Sequence, residues 1–137
     1  MSFFSIFDVA GSSLKAQNIR LNTVASNMAN ADSISSTAQG AYKARQPVFS
    51  SMYMNALGES DLRGVQVSNI VESQAPARKE YQPSHPMADS SGYIYFSNVN
   101  TMDEMANMIA ASRSYQNSIE VLNTAKQLLT RTLTMGQ

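Results

Sequence analysis

The sequence has no cysteine, and His85 is the only histidine among its 137 residues. A chain without cysteine forms no disulfide and no thiolate metal site. One histidine, with carboxylates scattered singly, is also a poor ligand set, so we expect no bound metal. Asp89 and Ser90 follow His85, but nothing predicts the rigid scaffold and oxyanion hole that a catalytic triad needs. We interpret His85 as a loop residue without a catalytic role.

An excess of charge of one sign is also lacking. Ten Lys and Arg balance ten Asp and Glu, so no basic face predicts binding to nucleic acid or to an anionic membrane. The glycines show neither GxGxxG nor P-loop spacing, and we expect no nucleotide and no other cofactor. With no catalytic residue and no small-molecule substrate predicted, we expect a protein that is not an enzyme. A net charge of zero lowers the electrostatic barrier to self-association.

Long apolar runs are absent as well. No stretch of 18 apolar residues predicts a transmembrane helix. Residues 1–17, MSFFSIFDVAGSSLKAQ, lack both the positively charged start and the unbroken apolar stretch of a cleavable signal peptide. We expect that, if the protein leaves the cytoplasm, it is exported without a cleaved signal.

Two segments show heptad spacing, and the first covers residues 3–31. Its apolar or small residues form two rows offset by three and four positions, as a coiled-coil seam requires. The rows are Phe7, Leu14, Leu21 and Met28, and Ala10, Gln17, Val24 and Ala31. This spacing predicts a helix about 40 Å long. Gly11 is its weak point, because glycine inside a helix costs about 1 kcal/mol relative to alanine.

The second segment covers residues 102–134 and shows the same spacing. Its rows are Met108, Tyr115, Leu122 and Leu129, and Met105, Ser112, Ile119, Lys126 and Leu133. Thr101 and Glu104 match a capping box, in which the hydroxyl and the carboxylate accept hydrogen bonds from free amides of the first turn. We predict a helix of about 50 Å, with Lys126 and Arg131 near its end complementing the helix dipole.

The chain between the two helices has a different composition. β-branched and aromatic residues predict three short strands, at 42–49, 64–72 and 92–96. Polar and small residues predict loops at 32–41 and 50–64. Prolines are expected to keep residues 76–91 extended and irregular.

These elements predict an α+β fold, in which long N- and C-terminal helices form a coiled-coil-like pair with a small β-rich insert between them. We expect an N-terminal helix at 1–31, a linker and small β-rich domain at 32–98, and a C-terminal helix at 99–137. A two-helix pair hides only one stripe on each helix, and residues such as Val121 and Leu128 widen the apolar arcs. We therefore expect other chains to cover these surfaces.

Several motifs resemble those of the bacterial flagellar rod and hook axial proteins. Residues 21–31, LNTVASNMANA, are similar to the signature of that family, and Tyr42-Lys43 resembles the end of the signature. Residues 111–116, ASRSYQ, and 119–126, IEVLNTAK, resemble its C-terminal helix. The resemblance covers nearly the whole chain. The proximal-rod subgroup of the family shares further similarities with this chain, at residues 71–76, 98–100 and 132–137.

Two positions depart from the family pattern. Residues 37–42, TAQGAY, replace the Thr-Pro-Gly-Tyr turn. Distal-rod and hook members keep that turn, so its loss favours the proximal subgroup. Ser97 stands where the pattern has proline before Asn98-Val99, a difference expected to loosen the entry to the second helix.

The resemblance implies a structural subunit of the proximal rod, within the flagellar basal body that spans the periplasm. Such subunits polymerise helically into a shaft that carries torque from the membrane ring to the hook, with both terminal helices in the inner tube. They are exported unfolded by the flagellar type III apparatus. The implied partners are other rod subunits, copies of the chain itself, the adaptor between membrane ring and export gate at the rod base, and the export apparatus. The alternative is another type III-exported helical hairpin, a needle or tip component, but a needle subunit would lack the β-rich insert.

The implied assembly interface lies along both helical seams. Slim faces of Ala, Ser, Asn and Met let several helices approach closely around one axis, whereas bulky residues would hold them apart. For Asn22, Asn27 and Asn30, a solvated face with a helix C-cap and amide contacts to neighbouring helices both remain open. The predicted interface residues are Phe7, Leu14, Leu21, Val24, Asn27, Met28, Asn30, Met105, Met108, Tyr115, Ile119, Leu122, Leu129 and Leu133.

Overall fold

The structure is a computed structural model that describes residues 3–56 and 59–135, and the side chains of residues 5–52 and 64–135. Helix α1 spans Phe3–Ala29, and helix α2 spans Thr101–Met135. Five strands lie between them in the chain: β1 Ile34–Ser35, β2 Arg45–Ala56, β3 Glu59–Glu72, β4 Arg78–Tyr81 and β5 Tyr93–Phe96. The predicted α+β class, with long terminal helices and a small β region between them, is confirmed.

Several local predictions for the β region are wrong. Segment 50–64 is not a loop, because β2 continues to Ala56 and β3 begins at Glu59; residues 57 and 58 lie outside the described part. Segment 76–91 is not irregular throughout, since it contains β4, and β1 lies inside the predicted loop 32–41. These stretches are polar, and strand propensity depends on the neighbours that a strand packs against more than on the residues themselves. Composition alone therefore misses them.

The chain folds as two compact units, each built from several chain segments. Unit 1 comprises Met1–Leu21, Val48–Asn69 and Ala110–Gln137, and unit 2 comprises Asn22–Pro47 and Ile70–Ile109. Each helix therefore contributes residues to both units. The division at 1–31, 32–98 and 99–137 concerns the assembled protein and stays a prediction.

In unit 1, serines mark the places where elements meet. Ser13 Oγ of α1 lies 3.1 Å from Ser118 Oγ of α2, within hydrogen-bond distance. Ser12 Oγ donates to the Val9 carbonyl at 2.7 Å and accepts a hydrogen bond from the Val65 N–H of β3 at 3.2 Å. Strands β2 and β3 form a two-stranded ribbon. Small side chains at these contacts let α1 approach both α2 and the ribbon closely.

In unit 2, β5 is the central strand of an antiparallel sheet with the order β1-β5-β4. Ile94, on β5, is fully buried. On the neighbouring strand β4, the Arg78 guanidinium lies 4.8 Å from the ring centroid of Phe96, and the Lys79 ammonium lies 5.4 Å from that of Tyr93. Exposed cation–π pairs of this kind contribute about 0.5–1 kcal/mol each. The same cations discourage strand pairing at the β4 edge.

The start of α2 corrects the predicted capping box. Asn100, and not Thr101, is the N-cap: its Oδ1 accepts a hydrogen bond from the Met102 N–H at 3.1 Å, and its carbonyl accepts one from the Glu104 N–H at 3.0 Å. Asparagine ranks above threonine as an N-cap, so the helix begins one residue earlier than the capping box required. The Glu104 side chain is then 6% exposed, and its Oε2 has no hydrogen-bond partner among the described residues.

Asp89 organises the loop between β4 and β5. Its Oδ1 accepts hydrogen bonds from the Ser91 and Tyr93 N–H groups at 2.8 and 2.9 Å, and its Oδ2 accepts one from the Tyr95 hydroxyl at 3.2 Å. Gly92 has a φ of 80°, and a Cβ there would lie 2.8 Å from the Tyr81 ring, so the turn requires glycine. His85 lies in this loop, where its Nδ1 accepts a hydrogen bond from the Met87 N–H at 3.1 Å.

We predict that ionised Asp89 stabilises the fold in a pH-dependent way. The hydrogen bond from the Tyr93 N–H is the largest cause of a folded-state pKa below the ordinary value of 3.8. A lowered pKa contributes stability that is present above the ordinary value and is lost as the pH falls through the folded-state pKa. Asp89→Asn cannot ionise, so its urea midpoint should fall less than that of the parent chain between about pH 5 and about pH 2. Asp32→Asn, which changes an exposed carboxylate outside this loop, is the control. A parallel pH dependence of the Asp89→Asn and parent proteins would contradict this account.

Candidate assembly surface

Small side chains dominate the buried core of the described residues. Seven of the nine buried apolar residues are alanines: Ala10, Ala16, Ala31, Ala41, Ala44, Ala111 and Ala125. The other two are Val24 and Ile94. Burial contributes about 0.8 kcal/mol per CH₂ group, so each alanine adds little. The core lets elements pack closely but stabilises a single chain weakly.

Many large apolar side chains of α2 are exposed. Those exposed on α2 are Met102, Met105, Ile109, Ile119, Val121, Leu128, Leu133 and Met135. A helix that faced water on these sides would carry polar residues there instead. Large exposed apolar surfaces on a soluble chain mark places where other chains bind.

The predicted rows on α1 agree with the burial in the single chain. Ala10, Val24 and Ala31 are buried, and the remaining members are half-buried: Phe7, Leu14, Gln17, Leu21 and Met28.

On α2, one of the two predicted rows is observed, and the buried row that accompanies it lies one residue before the second predicted row. Met108, Tyr115, Leu122 and Leu129 are half-buried, as expected for a seam. In unit 1, however, the second row is Ala111, Ser118 and Ala125, of which both alanines are buried. The row of Met105, Ile119 and Leu133 is exposed instead. Hydrophobicity favours the row of Met105, Ile119 and Leu133, because these side chains are larger and more apolar. The buried row could be recognised in the sequence only by its small residues at heptad spacing. A role for the exposed row in assembly stays a prediction.

Asn27 is fully buried and forms hydrogen bonds with the start of strand β2. Its Oδ1 accepts hydrogen bonds from the Arg45 N–H at 2.9 Å and from the Tyr42 hydroxyl at 3.1 Å, and its Nδ2 donates to the Arg45 carbonyl at 2.8 Å. The amide therefore pairs with Arg45 as a neighbouring strand would. Burial, opposed by the charge of Arg45 and reinforced by that of Glu104, raises the pKa of Tyr42, so its phenol stays a hydrogen-bond donor at neutral pH.

The other two asparagines of the signature differ from Asn27. Asn30 Nδ2 donates to the Ser26 carbonyl at 2.8 Å, a contact at the end of α1 that agrees with the C-cap alternative. Asn22 is exposed. Asn27 is fully buried in the single chain and so does not belong to a solvated face, and its place in the assembly interface stays a prediction.

Asn98 is a structural residue that sequence reasoning missed. Its Oδ1 accepts a hydrogen bond from the Ala44 N–H at 2.7 Å, and its Nδ2 donates to the Ala75 carbonyl at 2.8 Å. Asn98 therefore joins three chain segments of unit 2 just before α2. The segment 98–100 is part of the family resemblance, but the sequence does not show which groups the Asn98 side chain contacts.

An open groove runs between α1 and α2 in unit 1. It has a volume of about 390 Å³, and its lining is almost wholly apolar in character. The α1 wall includes Ile6, Val9 and Ala10, and the α2 wall includes Ser118 and Val121. An adjoining groove continues along α2, and it is lined by Ile6, Asn117, Glu120, Val121, Thr124, Ala125 and Leu128.

Among the described side chains, those of residues 5–52 and 64–135, no three His, Cys, Asp or Glu gather as a metal site would require. No helix in the described part of the chain has the length and apolarity to cross a membrane.

Comparison with known proteins identifies the class. Residues 7–33, within and just after α1, match the family described as flagella basal body rod protein. Residues 90–135, which include α2, match the C-terminal family of the flagellar basal body rod proteins FlgEFG. The two helices thus carry the features of axial proteins of the flagellar basal body.

Individual relatives specify the family further. The chain is 49% identical to the flagellar basal-body rod protein FlgC of Yersinia enterocolitica, and 47% identical to those of Salmonella typhimurium and Escherichia coli O157:H7. Each comparison extends over 137 residues and covers all of both chains. The chain belongs to the FlgC family of flagellar basal-body rod proteins. The resemblance to flagellar axial proteins is confirmed, and with it a structural role in the rod, a location in the basal body and assembly with other rod subunits.

We predict that Asn27→Ala destabilises unit 2 by about 2–3 kcal/mol, because it removes three hydrogen bonds of a fully buried side chain, each of which contributes about 1 kcal/mol. Asn30→Ala removes a similar amide from an exposed contact and should cost less than about 1 kcal/mol. Urea unfolding followed by circular dichroism measures both changes. Equal losses in the two variants would show that the buried contacts of Asn27 are not special.

Proposed function

We propose that the chain is a subunit of the proximal rod, which polymerises helically with other rod proteins and with copies of itself into the shaft that transmits torque from the membrane ring to the hook. In this assembly the helices at 1–31 and 99–137 form the inner tube, and residues 32–98 lie outside it. The observation that carries the proposal is the distribution of apolar residues, with alanines buried in the core and large apolar side chains exposed along α2.

The contacts between subunits are head to tail. An isologous contact closes on itself after two copies, whereas a heterologous contact continues into a filament or tube. The exposed apolar residues of α2 recur from Met102 to Met135, along the full described length of the helix. Such a helix offers contact area to more than one neighbour.

Export through the flagellar type III apparatus, without a cleaved signal, fits a weakly stabilised single chain. A core built mainly of alanine resists unfolding less than one built of leucine or isoleucine, since less area leaves water. The rod then spans the periplasm and contacts the adaptor between membrane ring and export gate at its base. Membership of the FlgC family disfavours the alternative of a needle or tip component.

We predict that Leu122→Asp prevents rod assembly. Leu122 is half-buried on the α2 seam, and a charge there loses about 1.5–3 kcal/mol of hydrophobic burial and adds a desolvation cost. In a strain that lacks the native gene, the variant should restore neither swimming in soft agar nor the presence of the chain in isolated basal bodies. Asn123→Asp adds the same charge at the neighbouring exposed position and should restore both.

Immunoblots of whole cells check that the two variants accumulate equally. A Leu122→Asp strain that swims normally, with the variant present in its basal bodies, would contradict the proposed function.

A further inference from the structure

The last turns of α2 carry apolar residues that the described chain leaves uncovered. We call residues 126–135 the α2 end. Leu128, Leu133 and Met135 are 49%, 66% and 86% exposed, and Leu129 is half-buried. Most of the apolar surface of the α2 end is therefore uncovered by other described residues.

The threonines of the α2 end make it less polar than its sequence suggests. The Thr130 hydroxyl donates to the Lys126 carbonyl at 2.9 Å, and the Thr132 hydroxyl donates to the Leu129 carbonyl at 2.8 Å. The Thr134 hydroxyl lies within hydrogen-bond distance of the Thr130 and Arg131 carbonyls. Hydroxyls that bond within their own helix need no outside partner. The α2 end can therefore pack against a dry surface without leaving these groups unsatisfied.

The groove between α1 and α2 offers a surface of that kind. Its volume of about 390 Å³ is open to solvent, and its lining is nearly all apolar. Two hydroxyls on its walls are also bonded internally, since the Ser118 hydroxyl donates to the Ser114 carbonyl at 3.0 Å and lies 3.1 Å from Ser13 Oγ. The groove and the α2 end thus match in chemistry.

Charge indicates which copy contributes which surface. Lys126 and Arg131 are the charged residues of the α2 end, and Glu120 lines the continuation of the groove. None of these three charges forms an ion pair with another described residue. Two α2 ends in mutual contact would bring four cations together, whereas the groove provides a carboxylate. Opposite charges at contact favour the second arrangement.

We propose that the α2 end of one copy docks in the α1–α2 groove of a second copy, with Lys126 and Arg131 toward Glu120. The contact is heterologous, so each copy offers one free groove and one free end to the next. This inference rests on the proposed rod function and specifies its self-contact.

Cysteine crosslinking tests the contact directly, because the native chain contains no cysteine. Val121→Cys places a thiol in the groove and Leu133→Cys places one on the α2 end. The two positions are twelve residues apart on one helix, about 18 Å, so they cannot bridge within a chain. The control pair combines Leu133→Cys with Gln116→Cys, since Gln116 is exposed and lines neither groove. Each pair is introduced as the sole copy in the flagellated host, and isolated basal bodies are oxidised mildly and separated on non-reducing gels.

The groove pair should yield roughly tenfold more crosslinked chain than the control pair, since disulfides demand Cβ atoms within about 4.5 Å, and its products should form a ladder beyond the dimer. Val9→Cys with Leu133→Cys is a second groove pair and should behave likewise. Basal bodies that contain the chain but show no excess of 121–133 or 9–133 crosslinks would overturn the docking proposal and leave the rod function intact. Efficient dimers of the Leu133→Cys single variant would also overturn the docking proposal, because they would show that two α2 ends meet. A crosslinked product whose mass identifies a different rod protein would overturn it as well. Absence of the parent chain from basal bodies would overturn both the contact and the function.

Discussion

Close approach of α1 and α2 is the constraint on which the rest of unit 1 depends. Two serine hydroxyls 3.1 Å apart, Ser13 and Ser118, mark the point of contact, and Ala111 and Ala125 are buried on the same side of α2. Bulkier residues would separate the backbones. Small ones bring them together, but they bury little apolar area and so stabilise the pair weakly. Many large apolar side chains of α2 remain exposed. We propose that other subunits cover them, so that weak packing within the chain and assembly with its neighbours follow from the same choice of residues.

Unit 2 is held together differently, by polar side chains with specific partners. Asn27 pairs with the backbone of Arg45, Asn98 joins Ala44 to Ala75, and Asp89 gathers the amides of its loop. Such bonds contribute about 1 kcal/mol each, but the loss of one partner costs more because the other is left unsatisfied. They specify one geometry for the chain that leads from α1 into the strands and back into α2.

The positions of the two helices could be predicted from the sequence, whereas the buried face of α2, the full extent of the strands and the long-range hydrogen bonds could not. Heptad spacing placed α1 within two residues of its observed end, because apolar and small residues recur over many turns. It missed the inner row of α2, since Ala111, Ser118 and Ala125 are less apolar than the neighbouring Met105, Ile119 and Leu133. β2, β3 and β4 were shortened or missed because an exposed strand needs no alternating pattern. The partners of Asn27 and Asn98 lie far along the chain, between 15 and 54 residues away, and no local pattern indicates them.

Hydrogen exchange of backbone amides in the dilute monomer and in isolated basal bodies tests the central claim, that the terminal helices are stabilised mainly by neighbouring subunits. Local opening requires little free energy where few apolar contacts hold a segment. Amides of α1 residues 3–21 and of α2 residues 110–135 should exchange quickly in the monomer, faster than those of β4 and β5, and should become strongly protected in the rod. If these helical amides are already protected in the dilute monomer as well as those of β5, the helices are stable alone and the account is wrong.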